Sequence, residues 1–76
     1  MSRGFNNWNA AQVIKFLKNN SFIHTHTRGS HFYYTAKIHD VDRQVCVPVH
    51  GGASLHPKVM KSIVRQSGLS EKHWLS

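Results

Sequence analysis

Gly29, Ser30 and His31 stand together in a short basic chain, between two runs of strand-forming residues. Glycine permits a sharp bend, and a histidine that opens the strand after it can offer its imidazole to a ligand. Histidine has the ordinary pKa nearest neutrality, so it takes and gives protons at cellular pH. The surroundings choose the ligand. Ten Lys and Arg against three acidic residues give a formal charge of +7, and such a field gathers polyanions. Together these features point to phosphodiester chemistry on nucleic acid, with His31 as proton carrier and Gly29 and Ser30 shaping its turn. Arg28, beside the tripeptide, is the first candidate for phosphate contact. Lys15 and Lys18 on one predicted helix, and Lys58 and Lys61 on another, extend the positive surface, although exposed helix faces are commonly charged.

A metal-free cut in RNA uses the 2′-hydroxyl as internal nucleophile, so it needs a base, an acid and cations at the phosphate. Three residues are candidate helpers for His31. His26 stands across the same turn if the flanking strands pair, Tyr33 shares the face of His31, and His50 ends the third strand. His50 also sits in a Pro-Val-His-Gly segment that serves strand termination. His24 and His26, two apart on one strand, have ligand-like spacing. With no cysteine partner and few carboxylates the usual zinc set is missing, so no metal and no cofactor are expected.

Composition sets the frame. A chain of 76 residues makes one domain, residues 1–76, with a small core. No segment has the run of about 18–20 apolar residues that a spanning helix needs, so no membrane is expected. The opening Met-Ser-Arg-Gly-Phe-Asn-Asn-Trp has no apolar stretch of the kind a secretory signal carries. Cys46 is the single cysteine, which excludes an internal disulfide. Its position between Val45 and Val47 reads as a packed thiol. The expectation is a soluble cytoplasmic domain.

The elements follow from periodicity. Ala10, Val13, Ile14 and Leu17 make one apolar face of a helix over about 9–19, with Asn9 as cap and Gln12 as its capping-box partner. Asn19-Asn20-Ser21 is the stop, read as an exit through an asparagine. Residues 22–28 alternate as a strand, with Phe22, His24 and His26 on one side. Residues 31–38 form a second, in which Phe32, Tyr34, Ala36 and Ile38 face the core while His31, Tyr33, Thr35 and Lys37 face away. His39 to Arg43 reads as a polar connection, and 44–49 as a third strand with Val45, Val47 and Val49 inward. Pro48 argues for an edge. Pro57 opens a helix over about 57–67, Gly68 stops it, and one short turn can follow through Trp74. Short links make the strands antiparallel, giving an α+β, α-β-β-β-α two-layer sandwich with both helices on one face of a three-stranded sheet.

Taken in order, several pieces resemble the HicA family, the small toxins of HicA–HicB toxin–antitoxin pairs. They are the helix ending just before Phe22, Gly29-Ser30-His31 opening strand two, Val47-Pro48-Val49-His50-Gly51 closing strand three, and the tail from Ile63 through Ser70. The resemblance implies a fold like the double-stranded-RNA-binding domain. It also implies a ribosome-independent mRNA interferase, an endoribonuclease whose catalytic histidine falls on His31 and whose motif glycine falls on Gly29. Its partners would be mRNA and a HicB-like antitoxin. The chain departs from the family in having Ser21 where glycine is common, and in a hairpin between strands two and three that reads as a few residues longer. A non-catalytic RNA-binding module of the same fold is the alternative, and a DNA-binding helical domain fits less well because the middle third reads as strands.

Overall fold

The computed structural model describes residues 7–75, and the opening residues read for a signal lie largely outside that range. Three strands, β1 (Ile23–Arg28), β2 (His31–Ile38) and β3 (Val41–Pro48), form one antiparallel sheet in the order β1-β2-β3. The helices α1 (Ala10–Asn19) and α2 (Pro57–Ser67) cover one face, and a short α3 (Glu71–Leu75) follows. The α+β architecture expected from the sequence is the one observed. Among the described residues, no helix is long and apolar enough to cross a membrane.

The capping box closes α1 reciprocally. Gln12 N–H donates to Asn9 Oδ1 and Asn9 N–H to Gln12 Oε1, both at 2.9 Å. Below it Ala10, Val13 and Leu17 enter a core shared with Phe22, Tyr34, Val45, Val47, Met60, Ile63 and Val64. Pro57 begins α2 behind His56, whose Nδ1 accepts the Lys58 N–H at 3.0 Å. Gln66 of α2 reaches the free edge of β3 and accepts the Cys46 N–H at 3.1 Å.

Four local expectations are corrected. The chain leaves α1 through Ser21, at φ +72, whereas Asn20 has φ −112. Phe22 N–H bonds Leu17 C=O at 2.9 Å and Ser21 N–H bonds Lys18 C=O at 3.3 Å, the paired bonds of a Schellman stop. Second, the connection between β2 and β3 is only His39–Asp40, both left-handed at φ +51 and +65, as a type I′ hairpin requires. The residues read as a longer loop instead extend β3, which begins at Val41 and pairs with β2 from Ile38↔Val41 to His31↔Pro48. Third, β1 bulges between His24 and His26. The extra residue, Thr25, reverses the alternation, so His24 opposes Tyr34 on the core side while His26 opposes Tyr33 on the other. Fourth, Cys46 is half-buried opposite Tyr33, on the uncovered face rather than in the core.

Ser67 ties α3 to the core. It is the one fully buried polar side chain among the described residues. Its hydroxyl donates to Val64 C=O at 2.6 Å and accepts from Leu69 N–H and Trp74 Nε1–H, each at 3.1 Å. Trp74 then stacks on Phe16 with ring centroids 3.8 Å apart, and Trp8 meets Trp74 edge-on at 5.6 Å. Trp8 therefore packs on the helical side.

Two stability measurements check this account. Ser21→Gly relieves a left-handed L residue, and after the added unfolded-state entropy of glycine should gain about 0.5–1 kcal/mol, a few degrees in Tm. Ser67→Ala strands the Trp74 and Leu69 donors and should cost about 1–3 kcal/mol in chemical denaturation.

Candidate nucleic-acid interface

The uncovered face of the sheet is built in cross-strand rows. Antiparallel partners directly opposite one another point to the same side, so the register reads out the surface. Arg28, His31 and Pro48 form the first row, and His26, Tyr33 and Cys46 the second. Ile23, Thr35 and Gln44 form the third, and Lys37 with Asp42 the fourth. Successive rows are two residues apart along a strand, about 6.7 Å.

Gly29, at φ +58, makes the bend that brings His31 opposite Arg28, and a Cβ there would meet nothing within 4 Å. Its role is therefore conformational. Val49 N–H donates to Ser30 C=O at 2.8 Å and pins the turn against the end of β3. His50 follows Val49 directly and stands exposed at this same end of the sheet. His31 is exposed. Among the described residues no side chain hydrogen-bonds its ring and no carboxylate pairs with it. The imidazole is available to a ligand on both nitrogens.

The second row is aromatic. The rings of His26 and Tyr33 stack with centroids 4.3 Å apart and planes 6° from parallel. His26 Nδ1 shares a 3.1 Å hydrogen bond with the Thr25 hydroxyl, so the bulge orients the ring as well as placing it. The Tyr33 phenol is raised above its ordinary value of 10.0, chiefly by the neighbouring Cys46 thiol, against a smaller opposing pull from Arg28. Tyr33 therefore keeps its proton at cellular pH and can donate it.

The bulge also separates His24 from His26. His24 Nε2 bonds the Thr27 hydroxyl at 2.7 Å, and its ring leans on Phe32 and Tyr34. Among the described residues, no three His, Cys, Asp or Glu side chains cluster as a metal site.

Of the residues singled out from the sequence, the fold brings His31, Arg28, His26 and Tyr33 onto one face, with Ser30 and His50 at its end. It does not bring the lysines there. Lys15 and Lys18 are exposed on α1 and Lys58 and Lys61 on α2, in the layer that covers the opposite face. Cys46 and Pro48, neighbours of Tyr33 and His31, were missed as site residues. The signal was present, because the alternation that turns Val45 and Val47 inward must turn Cys46 outward.

No curated protein and no solved structure matches this chain. A family model described as the HicA toxin of bacterial toxin–antitoxin matches residues 10–69, which span both main helices and all three strands. The chain therefore belongs to the HicA toxin family of bacterial toxin–antitoxin systems, and that membership implies a cognate antitoxin.

Proposed function

We propose that this protein is a metal-independent endoribonuclease, an mRNA interferase acting in the cytoplasm, with His31 as its catalytic proton carrier. The observation that carries the reading is an exposed imidazole without a partner, directly across the strand pair from Arg28 on the bare face of a strongly basic domain. Arg28 supplies a permanent cation for the scissile phosphate, and a guanidinium fits two phosphate oxygens at once.

His31, as neutral imidazole, removes the proton from a ribose 2′-hydroxyl. The 2′-oxygen attacks the adjacent phosphorus, the bond to the 5′-oxygen breaks, and a donor protonates that leaving oxygen. The products are a 2′,3′-cyclic phosphate and a 5′-hydroxyl. Tyr33, one row from His31 and holding its proton, is suited to the donor's role. His26 stacks on Tyr33 and positions its ring, and His50 stands in reserve at the end of β3. The lysines of α1 and α2 raise the long-range attraction for RNA without touching the reacting groups. The cognate antitoxin, of the HicB type, would silence the toxin by covering the His31 face. A non-catalytic RNA-binding module would use the same charge and sheet, but it has no need of an unpaired histidine beside a phosphate-binding arginine.

Two outcomes are expected with purified protein and end-labelled single-stranded RNA in a chelating buffer. His31→Ala should cut about 10²–10⁴-fold more slowly than wild type, with unchanged thermal stability because the ring is exposed. Tyr33→Phe keeps the stack and removes the proton donor, so it should lower kcat by about ten-fold or more with little change in KM. RNA that binds wild type but is never cut, or is cut equally by His31→Ala, would leave the binding-module reading in place.

A further inference from the structure

The far half of the open face holds a concavity of about 590 Å³, lined by Ile23, Thr35, Lys37, Asp42 and Gln44 of that face, together with Ser21, Ala36 and Arg43. Five of these eight are residues of the third and fourth rows, so the cavity opens on the same surface as His31. Thr35 follows His31 by four residues along β2, which places the cavity about 13 Å from the imidazole. The His26–Tyr33 ring pair lies between them. The volume falls in the range of small-molecule sites.

The lining mixes charges of both signs with apolar and neutral polar groups. Two of the three acidic residues of the chain, Asp40 and Asp42, lie at this end of the sheet. Asp42 is paired with Lys37 at 3.9 Å. Arg28 stands in the first row with no carboxylate opposite it, whereas at this end Lys37 and Arg43 are accompanied by Asp40 and Asp42. Ile23, 65% exposed, is one of two large hydrophobic residues left bare among the described residues. Beside those cations, an apolar side chain, a neutral amide, a hydroxyl and a carboxylate are groups that can meet the face and the edge of a heterocycle. Single-stranded RNA presents such rings when its bases are splayed from the chain.

We infer that this cavity is a nucleobase subsite for the single-stranded RNA cut at His31, selecting a base with an exocyclic amine over uracil; the inference rests on the nuclease reading above. Ionised Asp42 only accepts hydrogen bonds, and the Gln44 amide both donates and accepts. Adenine, cytosine and guanine each carry an amine that can donate to Asp42. Uracil offers two carbonyl oxygens and one N–H, so a carbonyl turned toward Asp42 faces another acceptor. An intervening base would stack on the His26–Tyr33 pair, an arrangement that tolerates any base. The strand then runs along the sheet, with its phosphates held at the first row and one base read at the third.

The test uses His31→Ala protein, which binds without cutting, and fluorescence anisotropy with labelled 12-mers. One is all uridine, and in two others every second uridine is replaced by adenosine or by cytidine. The substituted strands should bind about ten-fold tighter than the uridine strand. Asp42→Asn should raise affinity for every strand by removing a negative charge, yet reduce that ratio toward one. Gln44→Leu should reduce the ratio as well. Both residues are exposed, and a thermal melt confirms that each variant is folded. Equal affinity for all three strands, or a ratio that neither variant moves, overturns the subsite. So does an Ile23→Ser or Gln44→Leu protein that loses antitoxin binding while keeping RNA discrimination, because the cavity then belongs to the antitoxin interface. Wild-type protein that cuts none of the strands while discrimination persists overturns the nuclease reading and leaves the base subsite standing.

Discussion

A three-stranded sheet has two faces, and this chain has only enough helix to cover one of them. The apolar stripes of α1 and α2 are committed to the side that carries Phe32, Tyr34, Val45 and Val47, because burying those side chains is the main source of stability in so small a domain. The opposite face must then stay soluble on its own, and the residues that make it so are also the ones able to do chemistry. His26, Arg28, His31, Tyr33, Thr35 and Gln44 follow from one constraint on coverage. The candidate site is the whole back of the sheet, rather than a pocket cut into a core.

Within that face, position is set by register more than by side-chain contacts. The bend at Gly29 fixes which residue opposes His31 and, counted from that turn, sets His26 opposite Tyr33, while the bulge at Thr25 turns Ile23 rather than His24 to the open face. Without the bulge, His24 would oppose Thr35 on the open face and Phe22 would turn away from the core. A one-residue change of register moves every following side chain to the other face. The bulge therefore determines the composition of the site at a place where no candidate catalytic atom is found.

Much of this was legible in the residues. The spacing of Ala10, Val13 and Leu17 marked α1 and its inner side, Pro57 and Gly68 bounded α2, and the alternation of β2 put His31 and Tyr33 outward. What escaped had weaker local signals. Ile-His-Thr-His-Thr-Arg has no strong apolar contrast, so nothing in it reveals a slip of one position. His39-Asp40 lacks the Asn-Gly or Asp-Gly pattern that advertises a tight hairpin, and it was read as part of a longer loop. Ser21 carries a left-handed backbone that glycine would adopt without strain. In each case tertiary pairing, not local preference, chose the conformation. The site was legible as single residues, and its organisation into rows was not.

The two-residue link between β2 and β3 also orders the way the chain can assemble. Closing so short a loop forfeits little entropy, and it brings eight residue pairs together in sequence from Ile38↔Val41 outward. By contrast, the edge-on meeting of Trp8 with Trp74 joins nearly opposite ends of the chain. The link between β1 and β2, Gly29–Ser30, is equally short, so loop-closure entropy favours the sheet as the first structured piece, with the aromatic clasp of α1 and α3 closing last. Because Arg28 and His31 flank the Gly29–Ser30 turn, they meet as early as β2 meets β3. The pairing that builds the open face is thus local, and the helical layer that makes the fold durable is clasped only afterwards.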